Sequence, residues 1–345
     1  MSTTATAAQV QPQSTPPRRG CLFYVRRTLK WFGIILVALA LLGIAYQTIA
    51  TEIDRRTYSP RGQLYNISGL QMHMICEGEG SPAVILQAGG GAESSYWYWV
   101  QSQLAEHTRV CAYDRAGLGW SEAASTPRDP VTIVGELHAL LEEAGVQPPY
   151  IMAGHSYGAI LVRVYATQYP QEVTGVALVD SYTVRLVEPS ELENARLPYY
   201  ATNASLYIVQ WLGVSRFILP GQYAAMGYPP EIVPEMVALH ARNQTLDTDI
   251  GEKGLSVYLT LARASLAASA LGNLPVAVLW AADSYATYDM DTMLEVAAYS
   301  SNSVMRVIEG ANHGSILGSE QHAQQVSDAI LNVIEAGETG EPLAQ

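Results

Sequence analysis

The stretch that decides the fold is Pro149-Tyr150-Ile151-Met152-Ala153-Gly154-His155-Ser156-Tyr157-Gly158-Ala159-Ile160. It begins as an apolar run and passes through Gly154-His155-Ser156-Tyr157-Gly158. It continues as Ala159-Ile160-Leu161-Val162-Arg163-Val164-Tyr165-Ala166 with helical periodicity. Strand, sharp turn and helix is the context that presents a serine at a turn tip. A serine there adopts a strained backbone, and side chains two residues before and after it would collide across the turn. Glycine at 154 and 158 removes both clashes and leaves the Ser156 hydroxyl at the carboxyl end of the strand. The helix that follows aims its N-terminal amides at the same spot, where developing negative charge is stabilised. Glycine and serine are common enough that the five-letter motif recurs by chance. Its setting between a strand and a helix gives it weight.

Further strands flank this unit. Upstream, Gly62–Gly69 and Leu70–Cys76 read as a hairpin turning at Ser68-Gly69, and Ala83–Ala88 reads as a buried strand that ends in Gly89-Gly90-Gly91. Thr108–Tyr113 is another strand, followed by the polar turn Asp114-Arg115-Ala116-Gly117-Leu118-Gly119-Trp120-Ser121. We expect an Asp114–Arg115 hydrogen-bond network to fix that turn. Val131–Ala144 is an amphipathic helix. Downstream come strands at 173–179, 274–280 and 304–308, with helices at 290–298 and 321–336. The αβ alternation places the core at 62–181 and 274–336. Between them, 182–273 shows helical patterns broken by Pro and Gly, such as Ile232–His240 and Leu255–Ala270, and reads as a helical cap. Its Tyr199, Tyr200, Tyr207, Trp211, Phe217 and Tyr223 are candidates for walling a pocket.

The 345 residues are 49% hydrophobic and carry a net charge of −13, unevenly spread. Residues 1–62 hold eight Lys/Arg and two Asp/Glu, which leaves eleven basic against thirty acidic residues in the body. Such a surface repels nucleic acid and polyanionic substrates. The three cysteines form no C-x-x-C or Cys/His cluster, so no metal and no cofactor is expected. No oligomeric state is assigned.

Residues 1–30 read as a disordered basic tail, rich in Ser, Thr, Ala, Gln and Pro up to residue 19. Trp31 to Ala50 carries no charge and is long enough to cross a hydrocarbon core of about 30 Å. We read 31–50 as an uncleaved transmembrane helix rather than a signal peptide, whose apolar region would be shorter. Arg18, Arg19, Arg26, Arg27 and Lys30 place the N-terminus in the cytoplasm and the body outside it, against the opposing Arg55, Arg56 and Arg61. Cys21, beside the membrane, is read as a passive thiol rather than an acylation site.

A serine hydroxyl needs a base to take its proton, and the base needs an acid to fix its tautomer. His313 lies in the Gly/Asn loop after the last strand, from which it can reach back to Ser156. His155 is expected to point elsewhere and to be structural. Two aspartates end strands at positions able to back the histidine: Asp180, which we favour, and Asp283 as the alternative. The glycine cluster after an early strand supplies oxyanion-stabilising amides, for which Gly90 and Tyr157 are the candidates.

These stretches together resemble the α/β-hydrolase superfamily over residues 62–335. The likeness lies in its capped branch of epoxide hydrolases, haloalkane dehalogenases, proline iminopeptidases and esterases. It is carried by AVILQAGGG (83–91), RVCAYDRAGLGWSE (109–122), IMAGHSYGA (151–159), GVALVDS (175–181) and SNSVMRVIEGANHGS (301–315). The resemblance implies an eight-stranded, mostly parallel sheet with a helical cap. Epoxide hydrolases and dehalogenases of that branch carry an aspartate where this chain has Ser156, which points to acyl transfer instead. Relatives often place the acid in a G-x-x-D after the strand at 275–280; here the letters are Ala281-Ala282-Asp283-Ser284. An oxyanion His-Gly is replaced by Ala88-Gly89. The usual strand order also makes the segments ending near Cys76 and Cys111 neighbours, so the two pair in a disulfide or remain buried thiols.

The reading is a membrane-anchored serine hydrolase acting on a small-molecule ester or amide. Carboxylic-ester hydrolysis ranks first, an aminopeptidase or amidase of the proline iminopeptidase type second, and cofactor-free peroxidase chemistry third. A non-catalytic ligand-binding module on the same scaffold is the rival.

Overall fold

In the computed structural model the described residues are 20–181, 184, 186–286 and 290–343, so the expectation for residues 1–19 lies outside them. The first element, α1, runs Cys21–Thr57 and extends beyond the expected span at both ends. Residues 21–30, expected as part of the tail, are therefore helical. No Gly/Pro pair interrupts the run after Gly20, and Arg, Lys and Leu favour helix. The stop is Tyr58-Ser59-Pro60: Tyr58 is extended, and a residue before proline avoids the helical region.

The body follows in chain order. The hairpin β1 (Gln63–Ile67) and β2 (Leu70–Glu77) leads to β3 (Ala83–Gln87), α2 (Tyr98–Leu104), β4 (Val110–Tyr113) and α3 (Pro130–Glu143). Then come β5 (Tyr150–His155), α4 (Tyr157–Gln168) and β6 (Val173–Val179). Five helices form the inserted segment: α5 (Pro189–Trp211), α6 (Ser215–Met226), α7 (Val233–His240), α8 (Asn243–Lys253) and α9 (Tyr258–Ala267). The chain returns with β7 (Val276–Ala281), α10 (Met290–Ala297), β8 (Ser303–Ile308), α11 (Ser315–Gly318) and α12 (Glu320–Thr339). The eight strands form one sheet in the order β1-β2-β4-β3-β5-β6-β7-β8. Strand β2 runs antiparallel to both β1 and β4, and every pair from β4 to β8 is parallel.

The central strands are buried on both faces, as parallel strands covered by helices must be. Met152 of β5 packs with α3 and α4 on one face, among Leu137, Ile160 and Val164. Its neighbours Ile151 and Ala153 face the other way, toward Trp97 and Val100 before and in α2 and Ile330 and Val333 of α12. Cys76 and Cys111 stand opposite each other on β2 and β4 and form a disulfide.

The cap also grips α1. Gly43 lies against Leu212, so close that a Cβ there would meet the Leu212 carbonyl oxygen at 3.0 Å. The Tyr46 ring stacks on Phe217 at 5.5 Å. Buried Gln47 donates to the Ala241 carbonyl at 2.6 Å. Arg216 donates to Gln47 Oε1 at 2.7 Å and to Thr51 Oγ1 at 3.0 Å, and it pairs with Asp54 at 2.5 Å. Of the six cap aromatics expected to wall a pocket, Tyr199, Tyr200 and Tyr207 line a groove of about 440 Å³ beside Asp247, away from Ser156, whereas Trp211 and Phe217 are exposed. Tyr223 alone is deeply buried, against Tyr96. Helical spacing sets which residues share a face; it does not say which face meets the sheet.

Candidate active site

The turn between β5 and α4 holds Ser156 at φ 54° and ψ −121°, a left-handed conformation costly for any residue but glycine. Two interactions hold it there: its amide donates to the Val179 carbonyl on β6, and its carbonyl accepts from Ala159 in α4. The flanking glycines are required by space. A Cβ on Gly154 would lie 2.4 Å from the Gly158 carbonyl oxygen, across the turn. A Cβ on Gly158 would lie 2.2 Å from the Gln87 carbonyl oxygen, so this second clash is with the end of β3 and not across the turn as expected.

Ser156 shares a cavity of about 230 Å³ with His313, Gly89, Gly90, Tyr96, Met226 and Tyr228. Tyr96 leads into α2; Met226 and Tyr228 come from the cap. Tyr228 donates to the Tyr96 carbonyl at 2.9 Å, and the Tyr96 and Tyr223 hydroxyls meet at 3.0 Å. The cavity therefore has an apolar, aromatic wall, built by different residues from those the sequence suggested.

His313 lies on the loop after β8. That loop is fixed by Asn312, whose side chain accepts from the Gly314 and Ser315 amides at 3.0 and 2.9 Å. His313 Nδ1 stands 2.6 Å from Asp180 Oδ2. Asp180 is fully buried at the end of β6, with φ 45°. Its carboxylate also accepts from the Ala281 amide at 2.9 Å and the Ser284 hydroxyl at 2.7 Å. Burial pushes the Asp180 pKa up, but the hydrogen bonds from His313, Ala281 and Ser284 outweigh it and hold the carboxyl below its ordinary value. Asp283 is exposed, and its amide donates to Ala311. The short turn at Ala282–Ala286 brings Ser284, not Asp283, to the Asp180 carboxylate.

His155 does more than the sequence indicated. Its Nε2 donates to the His313 carbonyl at 3.0 Å, and the two rings lie 4.6 Å apart. Burial, reinforced by the nearby His313, lowers its pKa to about 3, so it is neutral with the proton on Nε2. It clamps the backbone of the loop that carries His313.

The glycine loop lies directly over Ser156: a Cβ on Gly89 would come within 3.3 Å of Ser156 Cβ. Arg115 holds this loop. Its buried guanidinium donates to the Ala88 and Gly89 carbonyls, both at 2.7 Å, and forks onto Glu252 of α8 with two contacts of 2.8 Å. Asp114 is not its partner. Asp114 instead accepts from His73 Nδ1 at 2.8 Å, the Ser94 amide at 2.6 Å and the Trp120 amide at 2.9 Å. The expected Asp114–Arg115 network is thus two networks that diverge from adjacent residues. Lys253 lies over Gly90, where a Cβ would approach its Nζ to 2.6 Å.

A family model of the alpha/beta hydrolase fold matches residues 82–318. The chain belongs to the α/β-hydrolase family. Among curated proteins this α/β hydrolase is similar to an AB hydrolase superfamily protein of Gibberella zeae, 41% identical over 104 residues, which cover 29% of this chain and 32% of the relative. The chain spans less than half the length of the first curated relatives it matches, 32%, 46% and 49%. Among solved structures it is similar to Cfl2 of Burkholderia cenocepacia, with TM-score 0.61 and 22% identity over 79% of this chain and 97% of that one. It is also similar to a thermophilic esterase of Thermogutta terrifontis, with TM-score 0.58 and 19% identity over 80% and 98%. At such identity the likeness shows the shared fold.

Proposed function

We propose that this α/β hydrolase is a membrane-anchored serine hydrolase that cleaves a carboxylic ester through an acyl-enzyme on Ser156. The observation that carries the reading is the 2.6 Å contact of His313 Nδ1 with buried Asp180, on the wall of the cavity that holds Ser156. With Nδ1 engaged by the carboxylate, Nε2 is the nitrogen left to accept the Ser156 proton. Ser156 Oγ attacks the ester carbonyl as His313 takes its proton. The oxyanion is held by the Gly90 and Tyr157 amides. The C–O bond to the leaving alcohol breaks, and the imidazolium returns the proton to that oxygen. Water, deprotonated by His313, then attacks the acyl-enzyme, releases the acid and restores Ser156. Asp180 stays ionised throughout and holds the ring in one tautomer.

The anchor is α1. Its apolar stretch is long enough to cross a bilayer. Removal of α1 as a signal would strip Gln47, Thr51 and Asp54 from Arg216, whose side chain is otherwise hidden, which favours an uncleaved helix. The Cys76–Cys111 disulfide supports a body outside the cytoplasm, as do the basic residues before the apolar stretch.

A fluorophosphonate probe tests the chemistry. The wild type is expected to be labelled and Ser156→Ala is not. Folded wild type that resists the probe would favour the ligand-binding module.

A further inference from the structure

The cap is docked on the part of α1 that must also lie in lipid. From Trp31 to Leu42 the helix rises about 18 Å, and a hydrocarbon core needs about 30 Å. The remaining length is Gly43–Ala50, and the cap begins to touch the helix there, through Leu212 on Gly43 and Phe217 on Tyr46. The polar groups that face the cap are turned inward. Gln47 is 3% exposed, and Arg216 and Asp54 are paired between helix and cap. The outward groups are mostly apolar: Thr48 is exposed with its hydroxyl bonded to the Ile44 carbonyl, and the first exposed charge is Glu52, beyond Ala50. On α1, Ile49 is 60% exposed and Ile53 follows one turn later. On the cap, Ile208 and Trp211 share one face of α5, and Phe217 and Ile218 open α6, with Phe217 73% exposed. Polar pairs hidden inside and apolar side chains outside is the arrangement a protein surface takes in lipid.

We propose that this outer face of the cap, around Ile208, Trp211, Phe217 and Ile218, is immersed in the leaflet on the body's side of the membrane, through which α1 emerges, and that the Ser156 cavity takes its ester from the bilayer. The inference rests on the membrane-anchored reading and adds a substrate class to it: an amphiphilic ester with a lipid-soluble acyl chain. Helix α6 makes the link. It runs from Phe217 on the anchor to Met226 on the cavity wall, a rise of about 14 Å. An acyl chain resting in the leaflet therefore needs to travel only that far to reach the site.

The test uses the full chain reconstituted in phosphatidylcholine vesicles. With phosphatidylcholine brominated on its acyl chains, the wild type is expected to lose more tryptophan fluorescence than Trp211→Phe. Equal quenching of the two overturns the lipid contact. In a second measurement, the double variant Ile208→Ser/Ile218→Ser is expected to hydrolyse vesicle-borne p-nitrophenyl palmitate about tenfold more slowly or worse, with water-soluble p-nitrophenyl acetate unchanged. Loss on neither substrate, or equal loss on both, overturns the lipid route. Alkaline carbonate extraction separates the two readings. Release of the wild type from membranes sinks the anchor itself, whereas retention with equal quenching sinks the immersed cap alone.

Discussion

Asp180 and His313 meet across 133 positions of sequence, with Oδ2 2.6 Å from Nδ1. The carboxylate that makes this contact sits on a residue at φ 45°, just after β6, and it also accepts from the Ala281 amide and the Ser284 hydroxyl. Asparagine tolerates the left-handed region better than most residues, so Asp180→Asn keeps the backbone and changes the chemistry. We expect Asp180→Asn to lose about a thousandfold or more in kcat, because the amide can hold the imidazole in the wrong tautomer. Exposed Asp283→Asn is expected to stay within a few-fold of wild type. Steady-state kinetics with circular dichroism as a folding control decide it. The reverse ranking would reassign the acid.

Arg115 and Glu252 form a buried ion pair joining the glycine loop to the cap. Arg115→Met strands the Glu252 carboxylate and frees the Ala88 and Gly89 carbonyls, with an expected cost of about 3–5 kcal/mol. Arg115→Met/Glu252→Met is expected to recover much of that stability, since no charge is left unpaired. Activity is expected to stay low in the double variant because the loop over Ser156 has lost its two anchoring donors. Thermal unfolding gives the first result and turnover the second. Full recovery of turnover would show that Arg115 does not position the loop.

Stability against pH is set in part by two buried groups with opposite slopes. Burial, with nearby Asp114 adding to it, raises the Glu93 pKa to about 8, while in the unfolded chain it is near 4.5. Between these values the unfolded state ionises and the folded state does not, so folding stability falls by at most about 1.4 kcal/mol per pH unit. His155 acts in the other direction. It is neutral in the fold down to about pH 3, whereas the unfolded chain takes up a proton below about 6.5, so its contribution is lost on acidification. The two slopes oppose each other between about pH 4.5 and 6.5, and above 6.5 only Glu93 acts. Glu93→Gln is therefore expected to hold its melting temperature from pH 6.5 to 8 while wild type declines. Thermal unfolding of the full chain in detergent at those pH values is the measurement, and parallel curves would refute the assignment.

The disulfide closes a 35-residue separation between β2 and β4. Replacing both cysteines by alanine is expected to cost about 2–4 kcal/mol, chiefly by releasing the unfolded chain. Catalytic rates at a temperature where the variant remains folded are expected to stay near wild type, since neither cysteine lines the cavity. Denaturation in the presence and absence of reductant checks the first point, and the same esters check the second.

What the sequence determined by itself is local. The turn at Ser156 was legible because strand, glycine spacing and helix lie within a few residues of one another, and the steric demand for Gly154 was readable from chain geometry alone. The apolar stretch of α1 was legible for the same reason, although its ends were not: propensity carried the helix to Tyr58-Ser59-Pro60. The tertiary structure alone decided the contacts between distant residues. Two strands lead into an aspartate, and only the fold separates them: Asp180 is buried against His313, whereas Asp283 is exposed in the turn after β7. His155 gripping His313, Arg115 choosing Glu252 over Asp114, and the cap settling on α1 each join residues far apart in the chain. The period of a helix or strand tells which residues share a face, whereas the neighbour that face meets is fixed by the packing of the whole sheet and cap.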